Sequence, residues 1–263
     1  MKAGITQICL PKQALEADLD FARNTGYDAI ELVFSDEGEP SIDASGSALA
    51  QVKSACIDRG LEIVSIRPVR KDGGSLLSPD TSERTKMVDV LARGLEIAEA
   101  IGVDGMLLHP GSLEPGVSYL ETWRNFRDAM KTLAPEAERR GCSIGVENVW
   151  NKFILSPMEA CRFVDEVGSS SIGIYIDVAN MVLYGYPEMW IRDLGNRITK
   201  VHVKDFRRKD GTWVQLMDGD VDWQAVMKEL RNIGFDGALV SEVGGDETMT
   251  RQTADRIRQI MNL

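Results

Sequence analysis

Histidine is nearly missing from this chain: its 263 residues contain two, His109 and His202. That scarcity argues against a multi-zinc cluster, which draws on several imidazoles. Cysteine is also sparse. The four, Cys9, Cys56, Cys142 and Cys161, form no CxxC pair or close-spaced framework, so they read as small core residues of a reducing compartment. A basic excess is absent, with 30 Lys plus Arg against 41 Asp plus Glu and a formal net charge of −11. Such a surface favours solubility and opposes the phosphate neutralisation that nucleic-acid binding requires. No apolar run approaches the ~18 residues of a membrane helix. The short run after Lys2 is broken by Gln7 and stopped by Pro11, which is too polar for a signal-peptide core. These absences together predict a cytoplasmic protein with no membrane and no nucleic-acid partner.

What the chain does have is alternation. Strand-like runs occur at 3–9, 29–34, 61–67, 104–109, 143–148, 173–177, 198–205 and 238–243. The segments between them carry apolar residues three and four apart, the spacing of a core-facing helix. Met87, Leu91, Leu95, Ala98 and Ile101 form the cleanest such stripe, closed by Gly102. Ser156, Pro157 and Glu159 mark a helix start by N-cap, first-turn proline and capping-box acid, and Asp222 caps another. Pro135 should kink or interrupt the long helical segment 117–140, because proline removes a donor and clashes with the preceding turn. Eight strands in 263 residues give about 33 residues per unit. The expected fold is therefore an α/β protein, a single-domain (β/α)8 TIM barrel over 1–263. An open doubly wound sheet is the alternative, but no GxGxxG follows the first strand and no glycine cluster forms a P-loop.

Catalytic groups in such barrels sit at the C-terminal ends of the strands. Four successive runs, SIGVEN, GIYID, ITKVHVKD and ALVSEV, each deliver one residue of metal-ligand type there: Glu147, Asp177, His202 and Glu242. Burying three carboxylates together without a cation is strongly unfavourable. An oxygen-rich set with one imidazole suits one divalent ion, Mn²⁺, Co²⁺ or Mg²⁺, with Zn²⁺ also compatible. His109 ends another strand and is assigned either to substrate or to the surroundings of the ligands. Polar groups beyond the strands suit a polyhydroxylated substrate: Asn148, Trp150, Asn151, Lys152, Asn180, Lys204, Asp205, Arg207 and Arg208. Trp150 and Trp213 could stack on a sugar or cover the barrel mouth. Gly244 and Gly245 could approach a phosphate, which Asp246 and Glu247 would repel.

The stretches VENVWNKF, YIDVANMVLYG, KVHVKDF and MDGDVDW resemble the sugar phosphate isomerase/epimerase superfamily, the xylose-isomerase-like barrels that include ketose 3-epimerases and pentulose-phosphate 3-epimerases. The resemblance spans essentially the whole chain and is strongest over 144–243. It implies that Glu147, Asp177, His202 and Glu242 hold the metal, that Glu147 and Glu242 also move the proton, and that Arg208 contacts a sugar or sugar-phosphate substrate. Two departures stand out. Asn180 occupies the place of a histidine common in free-ketose 3-epimerases, and Asn151, Lys152, Phe153 and Ile154 replace an NRFE stretch, so its acid is missing. The expected activity is metal-dependent proton transfer next to a ketone through an enediolate, with 3-epimerisation favoured. The rivals are an aldose-ketose isomerase, a dehydratase of inosose or dehydroshikimate type, an abasic-site nuclease disfavoured by charge and histidine count, and a non-catalytic sugar-binding protein. Homo-oligomerisation stays open.

Overall fold

The computed structural model describes residues 1–72 and 74–263. Eight parallel strands close into a barrel: β1 (Lys2–Thr6), β2 (Ala29–Phe34), β3 (Glu62–Pro68), β4 (Gly105–Leu108), β5 (Ser143–Glu147), β6 (Ile172–Asp177), β7 (Ile198–Val203) and, after a short antiparallel pair β8 (Asp205–Arg207) and β9 (Thr212–Val214), β10 (Ala238–Ser241). Closure comes from β1 pairing with both β2 and β10. The expected barrel is therefore the observed one.

Two helices, α1 (Leu15–Asn24) and α2 (Gly46–Asp58), follow β1 and β2, and α3 (Thr81–Ile101), α4 (Tyr119–Arg140) and α5 (Pro157–Val167) follow the next three strands. After β6 come α6 (Val178–Val182) and α7 (Pro187–Leu194), then α8 (Trp223–Asn232) before β10 and α9 (Glu247–Met261) after it. Ser156 Oγ accepts from the Glu159 amide as the capping signature requires, while Glu159 accepts from the amide of Leu155, one residue earlier than a reciprocal box. Asp222 caps α8 through the Ala225 amide.

Three local expectations are corrected. Pro135 lies inside α4, which runs unbroken from Tyr119 to Arg140; tertiary packing of Phe126, Met130, Leu133 and Ala137 outweighs the lost bond. The first strand ends at Thr6 and continues as a 3-10 turn, Gln7–Cys9. The run 198–205 is not one strand, because β7 stops at Val203 and Asp205 opens the β8–β9 hairpin.

Strand alternation sorts the barrel's residues into two environments. Ile5, Ile30, Leu32, Phe34, Val201, Val203 and Leu239 join the main apolar core with the helices. Ala29, Val64, Ala238 and Val240 form a small separate cluster, and Gly4 lets it close, since a Cβ there would lie 3.1 Å from Val240 Cγ2 and 3.5 Å from Ala29 Cβ. At the strands' C-terminal ends the interior is polar, with Glu147, Asp177 and His202 buried there. No helix among the described residues is long and apolar enough to cross a membrane.

Candidate metal centre and active site

Glu147 ends β5, Asp177 ends β6, His202 lies in β7 beside Asp177 in register, and Glu242 follows β10. One ligand atom from each of the four lies within 4.8 Å of the others. His202 Nδ1 is 3.3 Å from Glu242 Oε1 and 3.7 Å from Glu147 Oε1. His202 and Asp177 are fully buried, and Glu147 is nearly so.

Asp177 is held by its backbone and by one carboxylate oxygen. Its Oδ1 accepts from the Asn180 amide and caps α6, while Asn148 clasps its backbone, accepting from the Asp177 amide at 2.7 Å and donating to its carbonyl at 2.8 Å. The other carboxylate oxygen, Oδ2, is buried without a hydrogen bond, and so is His202 Nδ1. His202 Nδ1 thus has no hydrogen-bond partner, and the only ion-pair partner of Oδ2 among the described residues is the Lys204 ammonium at 3.0 Å. Two buried atoms of ligand type without a hydrogen bond, both in the quartet, fit a cation. The residues present therefore suit a divalent ion in composition and in unsatisfied valence.

Three cationic groups compensate the carboxylates. Lys204 Nζ lies 2.9 Å from Glu242 Oε2 and 3.0 Å from Asp177 Oδ2. Arg67 donates to Glu242 Oε1 at 2.8 Å. Burial disfavours an imidazolium at His202, but Glu31 and Glu242 outweigh it and push its pKa up to about 10. At Asp177 burial dominates, opposed by Lys204 and reinforced by Glu242 and Glu147, and raises the pKa to about 6. Burial also opposes ionisation of Glu242, but His202, Lys204 and Arg67 prevail and hold its carboxyl well below the usual range. Metal binding would displace the imidazolium proton.

Sequence reasoning missed Glu31 and Arg67. Glu31 is fully buried on β2 and accepts from Thr6 Oγ1 at 2.8 Å and Ser65 Oγ at 2.6 Å, and His202 Nε2 stands 3.2 Å from one of its oxygens. A lone acid inside the apolar run AIELVF was the available signal, since a buried carboxylate demands partners.

The expected substrate groups scatter. Lys204 joins the quartet directly, and the Trp213 ring of β9 covers its ammonium at 4.7 Å. Trp150 stacks on Trp213 with centroids 4.9 Å apart, and its Nε1 donates to the Asn180 carbonyl. Asn180 in turn donates to the Asn148 carbonyl, so both residues tie the segment after β5 to the one after β6. Arg208 sits over Tyr186 and near Asp220, and shares no hydrogen bond or ion pair with the quartet among the described residues. His109 is exposed after β4 and accepts from the Gly111 amide. A cleft of about 440 Å³ opens beside the quartet, with Lys204, Glu242, Trp213, Val243, Gly244 and Met249 in its walls. At its edge Asp246 caps α9 through the Met249 amide, which occupies the donor a phosphate would seek there.

Comparison with known proteins agrees with this fold. The putative L-ribulose-5-phosphate 3-epimerase UlaE of Shigella dysenteriae serotype 1 (strain Sd197) is 22% identical over 228 residues, 86% of this chain and 80% of that protein. A solved D-tagatose 3-epimerase-like protein superposes with a TM-score of 0.83 at 21% identity, covering 100% of this chain and 98% of the other. A solved L-ribulose 3-epimerase gives 0.82 at 19% identity, with 99% and 94% covered. The family model described as "Xylose isomerase-like TIM barrel" matches residues 19–260. Since that match runs through nearly the whole closed barrel, the chain belongs to the xylose isomerase-like TIM barrel family.

Proposed function

We propose that the protein is a divalent-metal-dependent sugar epimerase acting at the carbon next to a ketone, with inversion at C3 of a ketose or ketose phosphate as the favoured reaction. The observation that carries this reading is the quartet itself: two glutamates, an aspartate and a histidine bring one ligand atom each within 4.8 Å of one another, and Asp177 Oδ2 and His202 Nδ1 are buried there without a hydrogen bond. Its ligands, Glu147, Asp177, His202 and Glu242, would hold one ion, with Mn²⁺ the expected metal and Co²⁺, Mg²⁺ or Zn²⁺ compatible. A bound ion supplies electrophilic stabilisation of the negative charge that develops on the substrate's oxygens.

The protein's own groups do the rest. In the barrel order β10-β7-β6-β5, Glu242 follows β10 and Glu147 ends β5, so two strands, those carrying His202 and Asp177, lie between them. One carboxylate removes the proton from one face of the substrate carbon, giving an enediolate, and the other returns a proton to the opposite face. Lys204 and Arg67 keep Glu242 ionised, the form that accepts a proton. Glu147 has no lysine or arginine within ion-pair distance among the described residues, and its ionic neighbour is His202. Trp150 and Trp213 form the outer wall, and His109 and Arg208 are assigned to the distal part of the substrate.

Incubation of ketoses and ketose phosphates with Mn²⁺ in D₂O, followed by NMR, tests the reaction. Deuterium at C3 with inverted configuration is expected. Migration of the carbonyl to the adjacent carbon would make the enzyme an aldose-ketose isomerase, and loss of water would make it a dehydratase. Glu147→Gln and Glu242→Gln should each lower turnover by at least about 10³-fold while leaving circular dichroism unchanged, because each removes a proton-transfer group. Substantial turnover in either variant sinks the two-carboxylate scheme.

A further inference from the structure

We propose that Glu31 is the positioning residue of this centre: it holds His202 by Nε2, so that Nδ1 is the nitrogen that coordinates the metal. The assignment rests on the reading of the quartet as a cation site. It begins from the hydroxyl groups that Glu31 holds. One oxygen accepts from Thr6 Oγ1 at 2.8 Å, the other from Ser65 Oγ at 2.6 Å, and the Tyr175 hydroxyl stands 3.2 Å from Ser65 Oγ. Because the serine proton goes to the carboxylate, tyrosine is the donor in that last contact, and the chain Tyr175–Ser65–Glu31 has one direction.

The remaining capacity of Glu31 faces His202. Nε2 lies 3.2 Å from Oε1 and 3.3 Å from Oε2, a bifurcated contact across the barrel from β2 to β7. An ionised carboxylate only accepts hydrogen bonds. Nε2 must therefore carry the ring proton, and in a neutral imidazole Nδ1 is then left with a lone pair. Nδ1 is also the atom with no hydrogen-bond partner, facing the carboxylate oxygens of Glu242 and Glu147. Glu31 stands outside the four-residue ligand group, with its oxygens engaged by Thr6, Ser65 and His202. It lies on the opposite edge of the ring and fixes both tautomer and orientation. Tyr175 packs beside the imidazole with ring centroids 4.4 Å apart and closes off rotation on that side.

The chain's two histidines make the assignment readable, since uniformly [¹⁵N]histidine-labelled protein carries only two rings. With Zn²⁺ as a diamagnetic probe, long-range ¹H–¹⁵N spectra of the wild-type protein should show one ring protonated at Nε2 and metal-bound at Nδ1. Isothermal titration with Zn²⁺ and Mn²⁺ should show Glu31→Gln binding about 10–100-fold more weakly than wild type, the range for loss of a partner behind a metal-bound histidine. Far-UV circular dichroism of the metal-free variant should match wild type. Coordination through Nε2 in the wild-type protein overturns the assignment without any variant, and so does a Glu31→Gln affinity equal to wild type. A wild-type protein that binds neither ion removes the metal-site reading itself, an outcome distinct from binding with the wrong nitrogen.

Discussion

Lys204 is the residue whose role changes most between an empty and an occupied centre. Its ammonium sits between Asp177 and Glu242 and partly neutralises the carboxylates before any ion arrives. Once a divalent cation binds, the same ammonium is a like charge a few ångströms away, and two unit charges 4 Å apart interact by up to about 4 kcal/mol at an effective dielectric of 20. Lys204→Met should therefore tighten Mn²⁺ binding by at least about tenfold, while the metal-free protein melts at a lower temperature because two carboxylates lose their partner. Calorimetric titration and thermal melts of both proteins check this. Equal affinities would mean that the ammonium is not felt at the ion's position. A sequence reading could place Lys204 at the site but could not assign it this charge-balancing part, which depends on how Asp177 and Glu242 converge in space.

Among the elements, the β8–β9 hairpin is the one that builds the cover of the site. It depends on Asp205, fully buried, whose carboxylate accepts from the amides of Phe206, Met217 and Val221 and from Trp223 Nε1. That carboxylate fastens the start of the hairpin to the loop returning from it, and the hairpin in turn sets Trp213 over Lys204 and against Trp150. Hydrogen bonds to a charged group contribute about 1.5–3 kcal/mol each. Asp205→Ala should cost at least about 3 kcal/mol in denaturant unfolding, and should change the tryptophan emission of the metal-free protein because Trp150 and Trp213 no longer stack. A variant with wild-type stability and emission would show that the hairpin stands without it. This element was illegible in the sequence for a definite reason. The run ITKVHVKD is apolar and β-branched enough to read as one strand, and only the tertiary demand on Asp205 breaks it after Val203. The helices were easier to read: caps at Ser156 and Asp222 are local chemistry, visible in the residues that make them. Pro135 misled because the propensity of a single residue yields to the packing of a whole amphipathic face.

At the scale of the whole molecule, the quartet was legible because alternation along a strand is a local rule, and four polar residues closing four apolar runs survive any uncertainty in strand ends. Glu31 and Arg67 were not, because their partners lie across a closed barrel, 171 residues away for Glu31–His202 and 175 for Arg67–Glu242. Closure thus joins the N-terminal quarter of the chain to the site built by the second half. An unfolded chain cannot assemble the four ligands at once, so a cation that binds the quartet binds the folded barrel alone, and its binding free energy adds to stability. Free Mn²⁺ at 100 times its dissociation constant would add about 2.7 kcal/mol. For a domain of roughly this size each kcal/mol moves the midpoint by about 2–4 °C, so the melt should rise by about 5–10 °C, and EDTA should reverse it together with turnover. The double variant Glu147→Gln, Asp177→Asn, lacking two of the ligand charges, should lose the shift, whereas Lys204→Met should keep or enlarge it. A midpoint indifferent to Mn²⁺, Co²⁺, Mg²⁺ and Zn²⁺ would mean that the buried carboxylates are balanced by Lys204, Arg67 and His202 alone, and the centre would then be a charge network without an ion.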